Sequence, residues 1–111
     1  MASAINLVQG DTLPIISLIL SDKDTGKPID LSLPNTTVQM YFRAVGTTTI
    51  LYTIHCSLYS DGSDGRVIFN FTTGQLSTLV GAFEGEVEIN FNGQIQTVFD
   101  IIKFNIRAQF N

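Results

Sequence analysis

Residues 81–99 read GAFEGEVEINFNGQIQTVF. From Ala82 to Phe91 the side chains alternate without a break, with Phe83, Gly85, Val87, Ile89 and Phe91 on one side and Glu84, Glu86, Glu88 and Asn90 on the other. Successive side chains of a strand point to opposite faces, so this pattern predicts a strand with one covered and one wet face. Asn92-Gly93 follows, a pair suited to a two-residue hairpin turn because both central residues of that turn need positive φ. Gln94 to Phe99 is therefore expected to return antiparallel.

The same grammar extends in both directions. Downstream, Ile102, Phe104, Ile106 and Ala108 alternate within a strand expected over Ile101 to Phe110. Upstream, Val38, Met40, Phe42 and Ala44 share a face opposed to Gln39, Tyr41 and Arg43. Thr47 to Leu58 is rich in residues that fit a pleated surface, Asp61 to Gly65 turns the chain, and Val67, Phe69 and Phe71 give a further apolar face expected to pair with it. Only Thr73 to Val80 predicts a helical turn, with Thr72 or Thr73 as cap, Leu76, Leu79 and Val80 at helical spacing, and Gly81 as stop.

Nearer the start, Gly10-Asp11-Thr12 favours a turn and Leu13 to Leu20 a strand that tolerates Pro14 near its beginning. Its apolar run of Ile15, Ile16, Leu18, Ile19 and Leu20 is too continuous for one wet face, so it is expected to lie centrally or to be covered on both sides. Asp22 to Pro28 concentrates turn formers in a hairpin loop, and Ile29 to Leu31 resumes extended structure. Seven to nine short strands predict an all-β fold, an antiparallel immunoglobulin-like β-sandwich, with a small closed β-barrel as the alternative. Residues 1–111 are expected to form one domain, with 1–9 as a docking arm.

The composition is 44% hydrophobic and 14% charged, where about 25% charged is typical, so the surface is poor in charge and suited to being covered. Ten acidic and six basic residues give a net charge of -4, and the basic residues are scattered rather than gathered. Phosphate binding needs a concentrated basic footprint, so no direct nucleic-acid partner is expected. Met1-Ala2-Ser3-Ala4 does not start like a secretory signal, and no segment nears the roughly 18 apolar residues of a membrane span. Synthesis in a cytoplasm and no membrane partner are the corresponding expectations.

Reactive constellations are sparse. Glu84, Glu86 and Glu88 share one strand face, which reads as a wet face that discourages unwanted pairing or as a contact for basic residues of a neighbouring subunit. His55 adjoins Cys56, but adjacent strand residues point apart, which separates a base from its nucleophile. One cysteine and one histidine make neither an intrachain disulfide nor a structural zinc site. Asp22-x-Asp24-x-Gly26 begins like a calcium loop, but its glycine comes one position early and no glutamate follows at the needed distance. A non-enzymatic protein without catalytic, metal or cofactor site is therefore expected.

Six segments together resemble a known family. They are Gly10 to Pro14, the apolar strand Ile15 to Leu20, the loop Asp24 to Ser32, Val38-Gln39-Met40-Tyr41-Phe42-Arg43, Gly65-Arg66-Val67-Ile68-Phe69-Asn70-Phe71, and Gly81-Ala82-Phe83-Glu84-Gly85-Glu86-Val87. Their order is similar to that of the N-terminal domain of phage baseplate upper proteins, adaptor modules that join receptor-binding fibres to a tail baseplate. Thr97-Val98-Phe99 departs from the T-x-P often found there, and longer family members continue into a fibre stalk.

The resemblance implies a structural protein of a tailed-phage virion, a tail, baseplate or fibre-adaptor component among other virion proteins, as a homo-oligomer or in multiple copies within the particle. Collar and capsid-decoration roles are the alternatives. Docking would use sheet faces, edges and the terminal segment, with Ile5, Leu7, Tyr41, Arg43, Tyr52, Glu84, Glu86 and Glu88 as interface candidates. A small carbohydrate-binding module built on Tyr41, Tyr52 and Tyr59 is a further alternative, weakened by the absence of tryptophan.

Overall fold

The period-two segments of the sequence become strands in the computed structural model, which describes residues 4–110. These are β1 (Ile5–Val8), β2 (Ile16–Ile19), β3 (Thr36–Ala44), β4 (Tyr52–Leu58), β5 (Arg66–Phe69), β6 (Gly81–Phe91), β7 (Gln94–Thr97) and β8 (Ile102–Arg107). No helix occurs among the described residues. The all-β expectation holds.

The strands form one sheet in the order β1-β8-β6-β3-β4-β5-β2, with β7 added to β6. The long strand β6 organises it. One side pairs with β3 from Thr36↔Phe91 to Ala44↔Phe83. Its other side takes β8 along Gly81–Gly85 and β7 along Glu88–Phe91. The curl comes at β4, which pairs with β3 through Tyr52–Cys56 and then with β5 through Ser57 and Leu58. The sheet thereby closes half a barrel over its own concave face.

Two details differ from the predicted antiparallel sandwich. The sheet is mixed, because β1 runs parallel to β8, from Ile5↔Phe104 to Val8↔Arg107. It is also a single sheet bent on itself rather than two separate ones, and it does not close, since β1 and β2 stand at opposite ends of the strand order. Within the segment expected as a docking arm, Ile5–Val8 is docked onto its own chain; residues 1–3 lie outside the described part.

Inward-facing side chains fill the concave side. Phe42 is fully buried, with ring centroids 5.1 Å from Phe71, 5.3 Å from Phe83 and 5.2 Å from Phe104. Truncating such a side chain costs about 3–5 kcal/mol because the cavity adds to the lost transfer energy. Gly85 is where these rings need space. A Cβ built there would come 2.6 Å from the Met40 sulfur and 3.2 Å from the Phe104 ring. No polar or charged side chain is buried among the described residues.

Turn chemistry joins the strands largely as the residue types require. Asn92 and Gly93 both have positive φ, 51° and 99°, completing the β6–β7 hairpin. In the Asp22 loop, one carboxylate oxygen accepts the amides of Asp24 and Thr25 at 2.9 and 3.3 Å, so the segment is a turn braced by its own side chain. The Asp61–Gly65 turn packs against the chain leaving β2. Leu20 N donates to Gly65 O and Leu31 N to Gly62 O, each at 2.8 Å. Thr73 to Val80, expected as a helical turn, is a set of tight turns instead. Gly74 at φ +91° and the bonds Ser77 N to Gly74 O and Leu79 N to Leu76 O interrupt helical progression.

Two strand expectations need correction. Thr47 to Leu51 stay outside β4, which begins only at Tyr52. Leu13 to Leu20 shortens to β2, which is neither central nor covered on both sides: it terminates the sheet and leaves Ile15 and Ile19 exposed.

Candidate functional site

The convex face of β3, β6 and β8 gathers most of the predicted interface residues. Alternation turns Gln39, Tyr41 and Arg43 outward on β3 and Glu84, Glu86 and Glu88 outward on β6, and the β3–β6 register sets them opposite one another. The rows read Arg43–Glu84, Tyr41–Glu86 and Gln39–Glu88, with Lys103 of β8 beyond Glu84. Opposite charges at directly paired positions favour this register.

Two of the three glutamates are engaged. Arg43 Nε donates to Glu84 Oε2 at 2.8 Å in a half-exposed pair, a contact of roughly 0–1 kcal/mol for stability. Tyr41 Oη donates to Glu88 Oε1 at 3.1 Å, while Gln39 Nε2 donates to Tyr41 Oη at 2.7 Å and to Glu88 Oε1 at 3.2 Å. Desolvation, and after it the bond to Glu88, raises the Tyr41 phenol above its ordinary value of 10.0. Glu86 lies exposed between these two groups, with no hydrogen bond or ion pair to any other described residue.

A cleft of about 230 Å³ opens here, lined by Tyr41, Arg43, Ile50, Glu84, Gly85, Glu86 and Ile101. Four of the eight predicted interface residues, Tyr41, Arg43, Glu84 and Glu86, are thus brought into one site, with Glu88 in the adjoining network. The other three fall elsewhere. Leu7 is buried and Ile5 packs against the core at the β1 edge, while Tyr52 stacks on Phe42 with centroids 6.5 Å apart.

Ile50 and Ile101 were not singled out from the sequence. Ile50 reaches the cleft because the chain turns at Gly46 and returns along β3, where Leu51 N donates to Phe42 O at 2.8 Å. No signal short of that path identifies it. Chemically the cleft offers one uncommitted carboxylate between apolar walls and an aromatic ring, a setting for a cationic side chain with an apolar stem.

The other sequence candidates separate. His55 is exposed while Cys56 is buried on the opposite face, where desolvation pushes its thiol up to about 12. Such a thiol stays protonated and is a poor nucleophile. Among the described residues no group of three or more histidine, cysteine or acidic side chains is placed to hold a metal ion. No described helix is long and apolar enough to cross a membrane. No family model and no curated protein matches the chain.

Proposed function

We propose that the chain is a non-enzymatic structural protein of a tailed-phage virion, a tail, baseplate or fibre-adaptor component made in the host cytoplasm and docked among other virion proteins. The motif order from Gly10 to Val87 supplies the setting. The observation that carries a docking role is the convex cleft, where Glu84 and Glu88 are satisfied within the chain and Glu86 is left between Tyr41, Ile50 and Ile101. Its fitting partner is a neighbouring subunit that presents a lysine or arginine, the stem covering Ile50 and the cation meeting Glu86. A charge-poor exterior favours such coverage, since little hydration of ionic groups is lost.

Purified particles from an infection with the phage encoding this chain provide the test. Peptide mass spectrometry is expected to find the chain at fixed stoichiometry, and Glu86→Lys to lower its incorporation while the isolated variant keeps its melting temperature. Absence of the wild-type chain from particles would refute the virion reading. Normal incorporation of the Glu86→Lys variant would remove the cleft from it.

A further inference from the structure

We infer that the cation received by the convex cleft is Arg107 of a second copy of this chain, the two copies stacking their β3–β6–β8 faces about a twofold axis. This inference rests on the reading of the cleft as a contact for a basic side chain, and it names the partner. Its starting point is the distribution of charge. Of the six basic residues, Lys23 pairs with Asp100, Arg43 pairs with Glu84, and Arg66 donates to Ser17 while lying over the Tyr59 ring. Lys27, Lys103 and Arg107 have no carboxylate partner among the described residues. Two of these three, Lys103 and Arg107, are exposed on β8, on the same face as the cleft.

That face is balanced in charge but polarised. Outward positions of β3, β6 and β8 carry Arg43, Lys103 and Arg107 against Glu84, Glu86 and Glu88. The β6–β8 register orders them along the strands. Counted from the Phe83↔Phe104 pair, Glu84 and Lys103 lie one residue to one side, Glu86 three and Glu88 five, whereas Arg107 lies three residues to the other side. The Arg107 guanidinium sits 5.3 Å from the Phe110 ring centroid and donates to Ala108 O at 3.1 Å, contacts that leave its charge unneutralised. One end of the face therefore holds the uncommitted carboxylate and the other an uncommitted guanidinium.

A twofold axis lying in the interface across the Phe83↔Phe104 pair sets each position opposite the one equally far on its other side. Arg107 of each copy then falls level with Glu86 of the other, one strand spacing of about 4.8 Å to the side, within reach of an arginine side chain. Its stem crosses Ile101 and its guanidinium meets Glu86 between apolar walls, where a charge-assisted pair is stronger than in open water. The remaining charges avoid their like. Lys103 faces Asn105, whose Nδ2 donates to Asn6 Oδ1 at 3.4 Å and whose own carbonyl oxygen is left to accept from the lysine, while Glu84 faces Ala82. Moving the axis one residue, to Glu84↔Lys103, would instead stack each of those charges on its own copy, so the charge pattern selects the register. Because the sheet curls across its strands, two convex faces with aligned strands meet lengthwise along β6 and β8. Every interaction is made twice, as an isologous contact requires.

Sedimentation equilibrium of the full chain over a range of concentrations tests the pairing. The wild type is expected to approach twice its monomer mass reversibly, and Glu86→Arg and Arg107→Glu each to weaken association about tenfold or more. An equimolar mixture of the two restores it, because one variant then offers only cations and the other only carboxylates at the paired positions. Lys27→Glu, the same change of charge away from this face, is expected to leave association unaltered. Circular dichroism melts check folding, and all three positions are exposed. A monomeric wild type, a dimer indifferent to either variant of the face, folded variants that fail to associate when mixed, or an equal loss from Lys27→Glu would each overturn the inference. Particle incorporation separates it from the cleft reading. A monomeric wild type whose Glu86→Lys variant still fails to enter particles overturns the inference and leaves the cleft to a different subunit. A dimer weakened by Glu86→Arg and restored by mixing, with normal incorporation of Glu86→Lys, upholds the inference and ends only the cleft's role in the virion.

Discussion

Replacing Gly65 by alanine tests the clamp between the β4–β5 turn and the chain leaving β2. Gly65 has φ +70°, and a Cβ there would lie 2.8 Å from Leu20 O, 2.9 Å from Ile29 O and 3.1 Å from Ile29 N. All three are backbone atoms, so relief requires the strand end itself to move. The left-handed conformation costs an L-residue roughly 1–2 kcal/mol. Displacing the turn weakens the Leu20 N to Gly65 O bond, worth about 0.5–1.5 kcal/mol. Repacking around a side chain forced into filled space adds about 1–3 kcal/mol. The loss should therefore reach roughly 3–5 kcal/mol, a large part of the 5–15 kcal/mol typical of a domain.

Gly26→Ala is the control. Gly26 has nearly the same φ, +71°, but no atom within 4 Å of the added Cβ, so only the conformational part applies. Urea unfolding of the two variants separates close approach from backbone preference. The expected gap is about 2 kcal/mol or more, with similar m-values. Equal losses for the two variants, within about 0.5 kcal/mol, would show that the packing argument at Gly65 is wrong.

Three titration and reactivity outcomes follow from the same geometry. Cys56, with its thiol near 12, is expected to ignore a disulfide reagent at pH 8 in the native protein and to react on denaturation; rapid native labelling would contradict its burial. Tyr41 ionises above 10.0, so its folded environment favours the neutral phenol, a contribution present below that value and lost at higher pH. Ultraviolet titration should show a late-ionising tyrosine that disappears in Tyr41→Phe. Asp30 and Asp61 are held below 3.8 by Ser32 and Ser63 hydrogen bonds, and Asp100 by Lys23. Lowered folded values stabilise above 3.8 and lose that contribution as the pH falls through them, so the melting temperature should fall on acidification below about pH 4 and fall less in the triple aspartate-to-asparagine variant.

What could be read in advance depended on how local its cause was. Residues 81–99 declare themselves because strict alternation and an Asn-Gly turn need no distant partner. The faces of β3 and β6 follow likewise, which is why Tyr41, Arg43, Glu84 and Glu86 were legible as surface groups. Their meeting in one cleft required the register of strands more than forty residues apart and the return of Ile50. The parallel β1–β8 pairing had no comparable signal, since it joins the two ends of the chain without a turn. Thr73 to Val80 matched helical spacing, but Gly74 and the insertion of Leu76 into the core impose turns. Continuous hydrophobicity in Leu13 to Leu20 says only that both faces are apolar; whether the second is covered within the chain or by another chain is a tertiary fact.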